Sequence, residues 1–168
     1  MILPVAGTSS GTDDKESTVH LATYLGMLRT AEQGLADAFG RVATGHAAVV
    51  EVADTCRGLA RVSESHVERL TPVVRRYGAR TRTEVPYGMP ADSPRSGEVG
   101  LLRDLLDLYA LTSFVDLTWA VVTQAARGVR DSALLDVAEG CEQDTDRQLA
   151  WLRSRVKHSA PSALIPTR

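Results

Sequence analysis

Residues 59–70 read LARVSESHVERL and lie in the middle of a long stretch with helical periodicity. Apolar residues recur on both sides at alternating steps of three and four, the spacing that lines the buried face of a bundle helix. This face consists of Val49, Val52, Cys56, Leu59, Ser63, His66, Leu70, Val73 and Tyr77. Ser63 and His66 interrupt it with polar groups, which cost free energy when buried unless they are paired. The stretch therefore predicts a bundle helix with a polar layer at its centre.

Composition sets broad limits on the protein class. A chain of 168 residues can bury the core of one domain, and a net charge of -2 gives no reason to expect nucleic acid or an acidic membrane as a partner. The two cysteines, Cys56 and Cys141, form no C-x-x-C pair, and no apolar run approaches the length of a membrane span. The N-terminus lacks the basic start of a signal peptide. We expect a cytoplasmic protein with no nucleic acid and no membrane as partner.

Four helical segments follow one another along the chain. The predicted order is a tail over 1–16, helices over about 18–44, 47–77, 97–127 and 131–158, and a tail over 161–168. Gly78 is expected to end the second helix and Asp131 to cap the fourth, and Pro72 is expected to kink the second helix or to end its regular part near Leu70. The bundle domain is predicted to span residues 17–160, and the fold class is all-α.

The segment 79–97 differs from the rest, because its three prolines and two glycines oppose regular structure. Adjacent antiparallel helices need only about two to eight connecting residues. Extended at about 3.3 Å per residue, this segment reaches roughly 60 Å, whereas a helix of thirty residues spans about 45 Å. It can therefore cross the whole bundle, which predicts that helices two and three run parallel.

Carboxylates interrupt the apolar faces of the other helices. Glu32 lies on the face of helix one, Asp116 on that of helix three and Glu142 on that of helix four. The first hairpin places Glu32 opposite Ser63 and His66, and the second places Asp116 opposite Glu142 and Thr145 at a matching height. We expect Glu32, His66, Asp116 and Glu142 to converge inside the bundle.

This pattern resembles the ferritin-like di-iron carboxylate superfamily, in which two helices each carry a Glu and two others each carry a Glu-x-x-His. The resemblance covers about residues 18–158 and implies a four-helix bundle with one long crossover. It assigns metal-ligand roles to Glu32, His66, Asp116 and Glu142. Ser63 stands where the first motif has glutamate and Thr145 where the second has histidine. The resemblance therefore implies at most one divalent ion (Fe, Mn or Zn) and no di-iron oxidase activity.

Two functions remain open from the sequence. The first is a ferritin-like metalloprotein that uses these four residues. The second is a non-catalytic helical protein that acts through its surface as a homo-oligomer or with a protein partner. In the second case the polar layer serves packing and register, and Glu32 pairs with His66 or with a basic residue such as Arg57 or Arg61. No nucleophile triad, phosphate loop or nucleotide fingerprint is present.

Overall fold

The computed structural model is an all-α four-helix bundle. It describes residues 10–79, 84–85 and 93–165, with side chains from residue 20 onward. The described helices are α1 (Ser10–Gly45), α2 (Val50–Arg76), α3 (Gly97–Gly128) and α4 (Ser132–Leu164). No strand occurs within those ranges. The predicted all-α class is confirmed.

Named contacts between the helices give their directions. On α1 and α2, Glu32 pairs with His66 and Arg29 with Thr71, so a residue earlier in α1 meets one later in α2 and the two helices are antiparallel. The turn between them closes through backbone hydrogen bonds from His46 to Val42 and from Val49 to His46, at 3.0 and 2.9 Å.

Named contacts also give the directions of α3 and α4. His46 at the end of α1 meets Asp104 near the start of α3, whereas Glu32 meets Trp119, so α1 and α3 are antiparallel. Because α2 and α3 are each antiparallel to α1, they run in the same direction. Helix α4 is antiparallel to both α2 and α3, as shown by the pairs Arg76–Asp131, Leu59–Gln148, Thr123–Glu142 and Arg153–Tyr109.

The predicted faces of α1 and α2 form their part of the core, whereas α4 buries a line rotated away from the predicted face that carries Glu142: Leu134, Ala138, Cys141, Thr145, Gln148 and Leu152. Trp119 and Phe39 are the largest fully buried side chains. Two neighbouring faces of α3 are candidates from the sequence, and the more apolar one is buried throughout: Leu101, Leu105, Leu108, Thr112, Val115, Trp119 and Val122. In the other face, Tyr109 and Asp116 are only half-buried. Burial of each large apolar side chain contributes about 1.5–3 kcal/mol, which makes this core the main source of stability.

Two helix ends follow the predicted chemistry. Gly78 adopts a φ of 65°, a left-handed conformation that costs glycine little, and the backbone N–H of Ala79 returns to the Val74 carbonyl at 2.9 Å. Asp131 precedes α4, and its side chain accepts a hydrogen bond from the Leu134 N–H at 3.0 Å.

Other helix limits differ from the predicted ones. Helix α1 begins at Ser10, so 10–16 are helical and not a tail, and residues 1–9 lie outside the described ranges. Helix α4 continues through Pro161 to Leu164. A proline removes only its own N–H, and the Ile165 N–H still donates to the Pro161 carbonyl at 3.0 Å. Pro72 likewise lies inside α2, which continues to Arg76.

The connection before α3 is anchored where it is described. Most of the predicted crossover, residues 80–83 and 86–92, lies outside the described ranges. At its end, Arg95 donates to Asp104 from its backbone N–H at 2.9 Å and from its guanidinium at 2.6 Å. Asp104 also bonds His46 at 2.8 Å. This carboxylate therefore ties the connection and the α1–α2 turn to the start of α3.

Candidate functional site

The centre of the bundle holds a hydrogen-bonded pair from α1 and α2. Glu32 Oε1 lies 2.8 Å from His66 Nδ1, and both side chains are 0% exposed. The heptad-like spacing of the two helices turns both residues inward at the same height, which is the predicted position of the polar layer. Mutual pairing offsets the cost of burying the two polar groups.

The second ring nitrogen of His66 faces α4. Its Nε2 lies 3.3 Å from Asp144 Oδ2, and Cys141 of the same helix also acts on the ring electrostatically. Burial alone would lower the pKa of His66, but its hydrogen bonds to Cys141 and Glu32 and the charge of Glu32 outweigh burial and raise the pKa from 6.5 to about 10. Two carboxylates facing two nitrogens suit an imidazolium, which donates from both. Both the raised pKa and the two facing carboxylates therefore favour the protonated form of His66.

Helix α3 completes the layer through Trp119. Its indole N–H donates to Glu32 Oε1 at 2.6 Å, and its ring packs edge-on against His66 with centroids 5.9 Å apart. Glu32 Oε1 thus receives two donors, whereas the equally buried Oε2 has no hydrogen-bond partner. Each helix contributes one member to this polar layer, which consists of Glu32, His66, Trp119 and Asp144.

Asp116 and Glu142, the other two predicted ligands, form a separate group between α3 and α4. Both are half-buried, and Glu142 accepts a hydrogen bond from Thr123 at 2.9 Å. Partial burial raises the pKa of Asp116, and the nearby charges of Asp146 and Glu142 add to the effect. The structure therefore brings Glu32 to His66 and Asp116 near Glu142, and no described hydrogen bond or ion pair joins the two groups.

The two residues that depart from the family pattern have partners of their own. Ser63 Oγ accepts a hydrogen bond from the buried Gln148 side chain at 3.2 Å, and the same amide nitrogen donates to the Leu59 carbonyl at 3.3 Å. Thr145 donates to the Cys141 carbonyl one turn earlier in α4, at 2.8 Å. These two positions contribute neutral hydrogen bonds, where the family pattern has a carboxylate and an imidazole.

Sequence reasoning missed two members of the layer. Trp119 was recognised only as an apolar residue, although a buried indole N–H usually requires an acceptor and a carboxylate on the facing helix is an obvious one. The spacing of Asp144 and Arg147, three residues apart on one helix, predicts only a surface pair. That pair exists, but the other carboxylate oxygen of Asp144 faces His66. Position 144 is two residues from Glu142 and off the apolar face, so periodicity gave no signal for it.

A divalent metal fits this arrangement poorly. A histidine ligand needs a free nitrogen lone pair, and both nitrogens of His66 are engaged by carboxylates. Within the part of the chain that the structure describes, no group of three or more His, Cys, Asp or Glu side chains is disposed to hold a metal ion. The metal assignment of Glu32, His66, Asp116 and Glu142 stays a prediction.

A second feature lies on the outer surface of α3. Leu106, Leu117 and Val121 are 48, 67 and 45% exposed, and with Ala110, Ser113, Ala120 and Gln124 they form a side of the helix that we call the outer face. This face carries no charged residue between Leu106 and Gln124. Contrary to the expectation from the sequence, α3 is long and apolar enough to cross a membrane by length and composition, the one such helix among those described, and 44% of its most apolar window is buried in the bundle.

Comparison with known proteins adds no family assignment. Neither the family models nor the curated proteins give a match to this chain.

Proposed function

We propose that this protein is a non-catalytic helical-bundle protein that binds a protein partner through the outer face of α3. The observation that supports this function best is the row of exposed Leu106, Leu117 and Val121 on a face without charge. Interface centres are depleted of charged residues, and contiguous exposed apolar patches mark binding sites. The polar layer then has a structural role, which is to hold the four helices in register.

The burial of the polar layer supports a structural role over a catalytic one. Glu32 and His66 have no exposed surface, so a substrate could reach them only if the helices separated. His66 is protonated and bonded on both nitrogens, which leaves it no acceptor for a substrate proton. Two free, buried cysteines suit the reducing, cytoplasmic location that we propose for the protein.

The surroundings of the outer face favour a protein over a lipid surface. Helices that lie on membranes carry lysine and arginine beside the apolar face, which attract anionic lipids. The outer face of α3 is bordered on one side by the exposed Arg103 and by Asp107, which pairs with Arg95, and on the other by Asp116 and Asp146. These borders carry both signs of charge and lack the excess of lysine and arginine with which surface helices attract anionic lipids.

We also propose that the bundle is ferritin-like, with residues 79–97 as its one long crossover. Support comes from the parallel directions of α2 and α3, because a parallel pair requires a connection that returns along the bundle. A crystal structure that includes residues 80–92 tests this, and a short connection that makes α2 and α3 antiparallel would contradict it.

Position-specific photo-crosslinking tests the binding function. Leu117 is replaced by benzoylphenylalanine in cells that naturally make the protein, and Glu64, an exposed residue on α2, is replaced in the control. We expect a discrete crosslinked protein adduct from position 117 and none from position 64. No adduct from 117, with the variant folded and expressed, would contradict a protein-binding outer face.

The alternative function is a single divalent ion held by the four predicted ligands. It is supported by Glu32 Oε2, a buried carboxylate oxygen without a partner, and by the crowding of Asp116, Glu142 and Asp146. The test combines metal counting after aerobic addition of ferrous iron with thermal melts in Fe, Mn and Zn. One ion per chain, with a rise in Tm that His66→Ala abolishes, would favour this alternative, and uptake of two irons with oxygen consumption would indicate a di-iron enzyme. A Tm that does not change with any of the three metals would favour the protein-binding function instead.

A further inference from the structure

We infer that the partner at the outer face of α3 is a second copy of this chain, packed with its own α3 antiparallel about a two-fold axis at Ser113. This inference rests on the proposed binding function and names its partner. It follows from two properties of the face, namely the order of large and small side chains along it and the charges at its ends.

The order of side chains along the outer face is self-complementary. Its central line reads Leu106, Ala110, Ser113, Leu117 and Ala120, a regular step of four and three residues. If a second copy is placed antiparallel about Ser113, Leu106 meets Ala120 of the second copy and Ala110 meets its Leu117. Each large side chain then faces a small one, which is how packed helices interdigitate. An in-register parallel copy would instead oppose leucine to leucine and leave gaps between the alanines.

The charges at the ends of α3 select the same arrangement. Glu98 and Arg127 are 29 residues apart, which is about eight turns at 3.6 residues per turn, so both lie on the side of α3 that borders α4. Arg127 confirms that side by donating to Glu139 of α4 at 2.9 Å. In an antiparallel pair related by a two-fold axis, this side meets the same side of the second copy.

Glu98 therefore falls opposite Arg127 of the second copy, at both ends of the interface. The Arg127 side chain is 51% exposed, and a guanidinium has five N–H donors, so it can bind a second carboxylate while keeping Glu139. In a parallel two-fold pair opposite sides of the helices would meet, so Glu98 would not face Arg127 of the second copy. Because residue i contacts residue j and j contacts i, the contact closes as an isologous dimer and leaves no outer face for further copies.

Sedimentation over a range of concentrations tests self-association with the full chain. We expect a monomer–dimer equilibrium that Leu117→Glu weakens about a hundredfold or more, since two carboxylates per dimer would be buried without partners. Leu117 is largely exposed within the chain, so the variant should keep the thermal melt of the parent. The matched control Glu64→Lys, on the exposed side of α2, should dimerise normally.

Cysteine crosslinking tests the direction of the pair. Differently tagged Leu106→Cys and Ala120→Cys chains are mixed and oxidised, with buried Cys56 and Cys141 left in place. The antiparallel pair predicts disulfides between the two variants, whereas a parallel pair predicts disulfides within each variant and would overturn the inference. A chain that stays monomeric at all concentrations also overturns it.

If position 117 then still crosslinks to a different protein, the binding function stands and only the partner is wrong. Leu117-dependent binding of the monomer to phosphatidylcholine–phosphatidylglycerol vesicles would assign the face to membranes.

Discussion

Each ring nitrogen of His66 faces a carboxylate, an arrangement that favours the protonated imidazolium inside the bundle. A buried charge is tolerated only when it is paired, and here the pairing residues come from α1 and α4. Replacing His66 by alanine would leave Glu32 buried with only the Trp119 donor. The layer therefore acts as a unit, and the effect of changing one member depends on what the change leaves unpaired.

The raised pKa of His66 makes stability depend on pH. In the unfolded chain this histidine titrates near 6.5, whereas the folded protein retains the proton up to about pH 10. The part of the free energy of unfolding that the His66 proton contributes is complete below about pH 6.5. It is lost as pH rises toward 10, at up to about 1.4 kcal/mol per pH unit. The groups that face His66 are Glu32 from α1 and Cys141 and Asp144 from α4.

Urea unfolding between pH 6 and 8.5 measures this effect. The range stops below pH 9 because burial raises the pKa of the Cys56 thiol to about 12, which would lower the free energy of unfolding further at higher pH. We expect the free energy of unfolding to decrease with pH in the parent protein and to change much less in His66→Gln. Equal slopes in the two proteins would show that His66 is neutral in the folded state.

Trp119 gives a second prediction at the scale of one residue. Trp119→Phe keeps a large aromatic ring but removes the N–H that donates to Glu32. We expect a loss of about 1–3 kcal/mol in the free energy of unfolding, since a buried carboxylate loses a donor. The control is Trp151→Phe, because Trp151 is half-buried on α4 and makes no described hydrogen bond. If both variants lose the same stability in guanidinium unfolding, the indole hydrogen bond contributes nothing specific.

At the scale of helices, Asp131 connects two of them. Its carboxylate caps α4 through the Leu134 N–H and also accepts hydrogen bonds from Arg76 and Tyr77 at the end of α2. Partial burial opposes ionisation, but these donors outweigh it and lower the pKa of Asp131. The stability that they contribute is therefore present above the ordinary aspartate pKa of about 4 and is lost at more acidic pH.

Asp131→Ala should destabilise the protein by about 1–3 kcal/mol, through loss of the cap and of the Tyr77 hydrogen bond. Asp131→Asn is the matched control, because asparagine is also a good N-cap but lacks the charge, and we expect it to lose less. Chemical unfolding at pH 7 and at pH 3 measures both. An alanine variant that is as stable as the parent at pH 7 would contradict a capping role.

Periodicity and local chemistry predicted most of the helices. The apolar faces of α1 and α2, the stop at Gly78 and the cap at Asp131 all depend on residues close together in sequence, which is why they could be predicted. The ends at Ser10 and Leu164 could not, because helix ends depend weakly on propensity and a proline near a C-terminus removes only one hydrogen bond.

The candidate site was predictable only in part for a similar reason. Glu32 and His66 lie on the central apolar lines of their helices, so their meeting followed from the register of a hairpin. The approach of Asp144 to His66 depends on how α4 is rotated against α2, which spacing along one helix does not determine. The partial exposure of Asp116 and Glu142 reflects the rotation of α3 and α4 about their own axes: the more apolar face of α3 turns inward, and α4 buries Cys141 in place of Glu142.

For the whole molecule, the central polar layer and the hydrogen bonds of Asp104 stabilise different features of the fold, namely the helix register and the path of the connection before α3. The central layer of Glu32, His66, Trp119 and Asp144 sets the relative heights of all four helices, because a shift of one helix would leave a buried charge without its partner. Near the end of the bundle, Asp104 joins the connection before α3 to the α1–α2 turn. Register and chain connection are thus stabilised at separate places.

A substitution at Gly45 tests the contact between the α1–α2 turn and the connection before α3. A Cβ added at Gly45 would lie 2.2 Å from Cγ of Pro94, so Gly45→Ala must displace Pro94 and with it the neighbouring Arg95 from Asp104. We expect trypsin to cleave faster after Arg95, with stability reduced by about 1–3 kcal/mol as in other overpacked contacts. Gly40→Ala is the matched control, because a Cβ there meets nothing within 4 Å and alanine favours the helix by up to about 1 kcal/mol. Mass spectrometry of timed digests should show faster cleavage after Arg95 in the first variant only. Equal rates in both variants would mean that the connection does not depend on its contact with the α1–α2 turn.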